Sequence, residues 1–128
     1  MSKDLRGMIL GTQDITKEKV HITEWNVDVF VKGLTGAERD SYEQSLFIVS
    51  EHGKKVDVKM NRANLRAKLL VKTICDEDGN RIFADSDVEA LGAKSASALD
   101  KLFEVAQRLS GLSDKDVEEL EKNSNSEV

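Results

Sequence analysis

Proline is absent from the 128 residues, cysteine occurs once, and aromatic residues make up only 5%. Average usage would put roughly six prolines in such a chain. Nothing therefore interrupts helix or strand by that route, and no prolyl isomerisation slows folding. The lone Cys75 excludes an intramolecular disulfide and fits a reducing compartment. With so few aromatics, the core has to be built from Leu, Val, Ile and Ala. Long apolar runs are missing too. The longest, Leu46 to Val49, has four residues, too few for a membrane-spanning helix or the apolar centre of a signal peptide. Positive charge is in deficit, with 19 Lys+Arg against 24 Asp+Glu and a net charge of -5. That balance argues against a general binder of nucleic acid or anionic membrane. What is present is 39% hydrophobic and 34% charged residues in one domain's length of chain. The expectation is a single-domain cytosolic protein.

Periodicity divides the chain. Residues 1–19 read as an N-terminal arm in which Met8-Ile9-Leu10, between Gly7 and Gly11, is loosely docked or forms a short edge strand. Residues 20–112 read as the folded domain. Val20, Ile22, Val27, Val29 and Val31 alternate with polar neighbours, as strands with one buried face do, and Trp25-Asn26 marks a bend between them. Thr35-Gly36-Ala37-Glu38 is a capping box. The helix it opens is expected to reach about Phe47, with a strand at 55–60; a hairpin around His52-Gly53 is the alternative. Asn61 can cap a helix lined by Ala63, Ala67, Leu70 and Ile74. Gly79 suits the turn at 76–80. Asp85 or Ser86 can cap a brief helix ending at Gly92. Ser95 caps a stronger one carrying Leu99, Leu102, Phe103, Ala106 and Leu109, with Gly111 just beyond. Residues 113–122 read as an acidic helix bearing Val117 and Leu120, and 123–128 as a disordered polar tail. The predicted fold class is α+β: a small antiparallel sheet in the N-terminal half, packed with about five helices.

Motifs with chemistry are scarce. If Gly79 were the sixth position of a calcium loop, the first ligand would fall on Ile74, which cannot coordinate. His21, His52 and Cys75 have no ligand or nucleophile–base spacing, and no carboxylate lies in an apolar stretch that would tune it for acid–base work. No catalytic, cofactor or metal site is expected. Charge, by contrast, is partitioned. Residues 54–72 hold seven basic residues against one acid, and residues 76–91 six acids against one arginine. Arg62, Arg66 and Lys72 could follow a nucleic-acid backbone, but Leu69, Leu70 and Val71 give this helix an apolar face and leave the cations as its solvated side. Nucleic acid and membrane are therefore not expected partners. A protein or a second copy can use the same charges, so the candidate partner contacts are Arg62, Arg66, Asp76 and Asp78, with Val117 and Leu120 near the C-terminus.

Three groups of strings carry a resemblance. The first is Trp25 with Val27-Asp28-Val29-Phe30-Val31-Lys32-Gly33-Leu34-Thr35 and Glu38-Arg39-Asp40. The second is Arg66-Ala67-Lys68-Leu69-Leu70 leading into Asp76-Glu77-Asp78-Gly79-Asn80-Arg81-Ile82-Phe83. The third joins Leu91, Lys94-Ser95-Ala96, Ala98-Leu99-Asp100, Leu102-Phe103, Leu109-Ser110-Gly111-Leu112 and Glu121-Lys122-Asn123. In order and spacing these resemble the tail assembly chaperones of long-tailed phages and prophages (siphoviruses) of Gram-positive bacteria. The resemblance implies a non-enzymatic protein of the host cytoplasm, absent from the finished virion. It would bind the tape measure protein and keep it soluble until tail tube protein polymerises around it. It also implies a short and a long product related by a -1 ribosomal frameshift, and Glu121-Lys122-Asn123 permits the slippery heptamers A-AAA-AAC or A-AAA-AAT. A possible homo-oligomer follows from the oppositely charged stretches. A head–tail joining or tail completion protein, or a small nucleic-acid-binding regulator, are the alternative functions.

Overall fold

The computed structural model describes residues 4–112, so the helix expected at 113–122 and the tail at 123–128 lie outside the described residues. The architecture is the expected α+β, with five α-helices and two small antiparallel sheets of three and two strands among the described residues. Strands β1 (Lys17–Ile22) and β2 (Val27–Lys32) form a hairpin. Its turn needs a left-handed residue, supplied by Asn26 at φ 52°. Register places Val20 opposite Val29 and Ile22 opposite Val27, so one face is apolar, while His21 opposite Asp28 lies on the other.

Helix α2 (Gly36–Ser45) starts at the predicted capping box: Thr35 Oγ1 accepts from Glu38 N–H, and the Glu38 carboxylate accepts from Thr35 N–H at 2.9 Å. It ends two residues before the predicted stop. Phe47-Ile48-Val49 is an aromatic and β-branched run that favours a pleated strand. It becomes β3 (Phe47–His52), paired with β4 (Lys55–Met60) across a turn where Gly53 takes φ 65°. The hairpin alternative is thus the observed one, and 55–60 joins this separate two-stranded sheet rather than the sheet of residues 20–32.

Helix α3 (Leu65–Thr73) begins later than the sequence suggested, with Asn64 in the left-handed region at φ 55° as its N-cap. The Asn61 carboxamide instead accepts from Ala63 N–H at 3.0 Å, turning the chain one step earlier. The helix also ends earlier. Ile74–Cys75 form a two-residue strand, β5, on the free edge of β2, with Ile74 opposite Val31. Arg81 Nε donates to the Val71 carbonyl at 2.9 Å and satisfies one of the orphan acceptors at that helix end. A single 3-10 turn (Asp85–Asp87) leads into α4 (Val88–Gly92), and Ser95 caps α5 (Ala96–Leu109) by accepting from Ala98 N–H. Helices α3 and α5 pack on one another, and α5 covers β1 and β2. The core between them contains Ile22, Val31, Leu69, Leu70, Ile74, Leu99, Leu102 and Ala106, aliphatic as the composition required.

The arm is where local structure departs most from expectation. Residues Leu5–Gly11 form a helix, α1, capped by Asp4, whose carboxylate accepts from Gly7 N–H at 2.9 Å. None of its residues is buried.

Candidate interaction surfaces

Most of the charges singled out in the sequence are engaged within the chain. Lys72, only 7% exposed, places Nζ 3.3 Å from Asp85 Oδ1, and Arg81 Nη2 donates to the same oxygen at 2.8 Å. Arg66 pairs with Asp100 and lies over the Phe103 ring, 5.9 Å from its centroid. Lys68 donates to the Ser45 carbonyl at 3.0 Å. The basic stretch is therefore not one solvated stripe.

Asp76 closes its own turn, accepting from Asp78 N–H and Asn80 N–H at 2.9 Å each. The Asn80 backbone N–H leads the contributions that hold its carboxyl below the usual carboxylate range. Arg62 precedes α3, Arg66 lies in its first turn, and Asp76 and Asp78 lie beyond its end. The seven helical residues from Ala67 to Thr73, about 10 Å at 1.5 Å per residue, and the strand β5 lie between the pairs, so they form two patches rather than one. All four are exposed. Val117 and Leu120 lie outside the described residues.

No cluster of three His, Cys, Asp or Glu residues able to hold a metal ion occurs among the described residues. Burial pushes the Cys75 thiol up, which keeps it protonated and poorly nucleophilic at neutral pH. His21 Nδ1 sits 2.7 Å from Asp28 Oδ1, an exposed cross-strand pair that lowers the Asp28 pKa. No described helix is long and apolar enough to cross a membrane.

Apolar surface is more informative. Trp25, Ile82, Phe83, Ala90 and Leu91, together with Asp87 and Lys94, line an open groove of about 480 Å³. Three elements converge there. The β1–β2 turn presents Trp25, fixed by Trp25 N–H donating to the Ile22 carbonyl at 3.2 Å. The segment after the Asp76 turn presents Ile82 and Phe83, and α4 presents Ala90 and Leu91. Asp87 is held by accepting from Ala84 N–H at 2.8 Å. A groove lined by two aromatic and three aliphatic residues, with one acid and one base among them, can take apolar side chains from a protein partner. In the sequence Trp25 marks a bend and, like Ile82-Phe83, belongs to the strings that carry the resemblance, and neither pattern shows that these residues line one groove; two isolated aromatic positions beside polar turns are the available signal. Further apolar surface lies on α1, through Leu5, Met8, Ile9 and Leu10, and on the β3–β4 hairpin, through Val49, Val56 and Val58.

The fold is similar to that of a solved structure, the bacteriophage HK97 tail assembly chaperone, with a TM-score of 0.55 and 16% identity over 84% of this chain and 98% of that one. No curated protein matches the sequence. A family model does match, across residues 4–123, and its description is phage tail assembly chaperone. Since that match takes in every described element from α1 to α5, the chain belongs to the phage tail assembly chaperone family.

Proposed function

We propose that this chaperone binds the tape measure protein of a siphovirus or prophage of a Gram-positive host and keeps it soluble until tail tube protein assembles around it. It does so in the host cytoplasm without catalysing a reaction, and leaves before the virion is complete. Family membership and the open aromatic groove support the reading. A long helical client offers apolar side chains at i, i+3 and i+4, and a shallow groove with a polar rim holds such side chains reversibly. The net charge of -5 adds solubility to a coated client. Arg62, Arg66, Asp76 and Asp78, and the Val117 and Leu120 segment, serve as further partner contacts in this reading. A longer product made by a -1 frameshift at Glu121-Lys122-Asn123 would extend the chain beyond the described fold.

Co-expression tests the proposal. The chaperone should raise the soluble fraction of the tape measure protein and co-purify with it, and mass spectrometry should find no chaperone in purified virions. A tape measure protein equally soluble without it, or a stoichiometric presence in virions, argues for the structural alternative. For the frameshift, AAG at codon 122 removes the heptamer, whereas an intact heptamer predicts a minor product identical up to Asn123.

A further inference from the structure

We propose that the aromatic groove and a basic pocket beside it form one surface for an acidic amphipathic helix, so that the client segment is selected by a carboxylate as well as by its apolar side chains. The inference rests on the client reading above and adds the chemistry of the segment bound.

The basic pocket lies between the start of α3 and the link from α4 to α5. It encloses about 200 Å³, and Arg62, Arg66 and Lys94 line it together with Gly92 and Ala96. No acid lines it. Gly92 lets the two walls approach, since a Cβ there would collide with Asn64 Oδ1, and Asn64 enters α3 in the left-handed region. Arg66 lies over the Phe103 ring and pairs with Asp100, which fixes its guanidinium and offsets one of the three charges. Lys94 makes no ion pair among the described residues. Two helix dipoles agree in sign with the side chains, because Arg66 and Ala67 belong to the first turn of α3 and Ala96 is the first residue of α5.

Groove and pocket are continuous. Lys94 lines both, and Leu91 of the groove precedes Gly92 of the pocket. A client helix that puts residues i, i+3 and i+4 into the groove carries i+7 on the same face, about 5.4 Å further per turn. Asp87 lines the groove but not the pocket. A carboxylate in the groove itself therefore meets a like charge, whereas one in the pocket meets cations. Duplex nucleic acid supplies anions for the pocket but no side chain for Trp25 and Phe83, so a protein segment uses the whole surface and nucleic acid only half of it.

Fluorescence anisotropy of labelled, overlapping tape measure peptides with the full chain tests this. The tightest binders should carry Asp or Glu within two turns of an apolar stripe, and added salt should weaken them. Changing that acid to Lys in the peptide, or Lys94→Glu in the chaperone, should each weaken binding roughly five- to tenfold. Combined, the two changes should recover part of the loss, because the swapped pair is again opposite in sign; a merely structural role for Lys94 gives no such recovery. Lys94 is exposed, so the thermal transition should match the parent. If it does not, Lys94→Gln takes its place, with a loss of about two- to threefold. Peptides whose affinity ignores both charges overturn the proposal and leave the groove to the client. Failure of every peptide to bind removes the client reading and this proposal with it. Duplex DNA binding that Lys94→Glu abolishes, or parent dimers that it dissolves, with peptide affinity unchanged, gives the pocket to another occupant and overturns the proposal as well.

Discussion

Lys72 and Asp85 meet at 3.3 Å across the junction of α3 and the 3-10 turn, and this pair joins the basic stretch to the acidic one inside a single chain. The ammonium is almost entirely withdrawn from water, whereas the carboxylate is 68% exposed and shared with Arg81. Asp85→Asn leaves a buried cation without its counter-charge and should cost about 1–3 kcal/mol. Lys72→Met removes the cation together with its desolvation and should fall within about 1 kcal/mol of the parent. Hydrogen bonding from Arg81, then Lys72, lowers the Asp85 pKa. A lowered carboxylate stabilises the fold above its unfolded pKa near 3.9 and loses that contribution as pH falls through the folded value. Urea midpoints at neutral and acid pH check both points: the parent should lose more stability than Asp85→Asn below about pH 4.

Tyr42 gives the alkaline counterpart. The residue is 1% exposed, and its hydroxyl has no hydrogen-bond partner among the described residues. Burial pushes its phenol up to about 12. A raised acid stabilises the fold fully below its unfolded pKa near 10 and loses that contribution as pH rises through the folded value. Tyr42→Phe should therefore be neutral or stabilising by up to about 1 kcal/mol at pH 7. It should also flatten the loss of thermal stability above about pH 10.

Local rules carried a good part of this fold. The capping box at Thr35, the cap at Ser95, the alternation from Val20 to Val31 and the spacing of Leu99, Leu102 and Ala106 each place their element correctly, because the forces are between near neighbours. The boundaries at Leu46 and Thr73 were less legible. At each, a helical pattern runs into β-branched residues, and a distant partner decides: Met60 pairs with Phe47, and Val31 with Ile74. The interaction surfaces were the least legible part. Charge counts along the chain cannot show that Lys72 and Asp85 neutralise each other, nor that Trp25 and Phe83, 58 positions apart in sequence, line one groove.

Gly33, directly after β2, has a strict steric role. Its backbone passes so close to the end of α5 that a Cβ there would sit 2.5 Å from the Leu109 carbonyl oxygen. The approach is fixed on both sides: Gly33 N–H donates to the Thr16 carbonyl at 3.0 Å, and Leu34 N–H donates to Ser110 Oγ at 3.0 Å. Backbone, unlike a side chain, cannot swing aside. Gly33→Ala should cost about 1–3 kcal/mol. Gly36→Ala, where nothing lies within 4 Å, should be neutral or mildly stabilising in the first turn of α2. Differential scanning calorimetry of the two variants separates close packing from glycine's general conformational freedom.

Trp25 is the sole tryptophan, so its fluorescence reports directly on the groove assigned to the client. The ring is half-buried beside Phe83 and open to water along the cavity. An apolar side chain entering there displaces water from the indole and should shift its emission to the blue, with an amplitude that saturates as a helical tape measure segment is added. Ala90→Lys projects a long cation from α4 into this space. Ala90 is exposed, so the thermal transition should stay within a few degrees of the parent, as for other surface changes of about 0.5 kcal/mol. The blue shift, however, should disappear. The control is Ile48→Lys on the β3–β4 hairpin, none of whose residues lines the groove, which should leave the titration intact. A segment that binds Ala90→Lys as tightly as the parent places the client elsewhere on the chaperone.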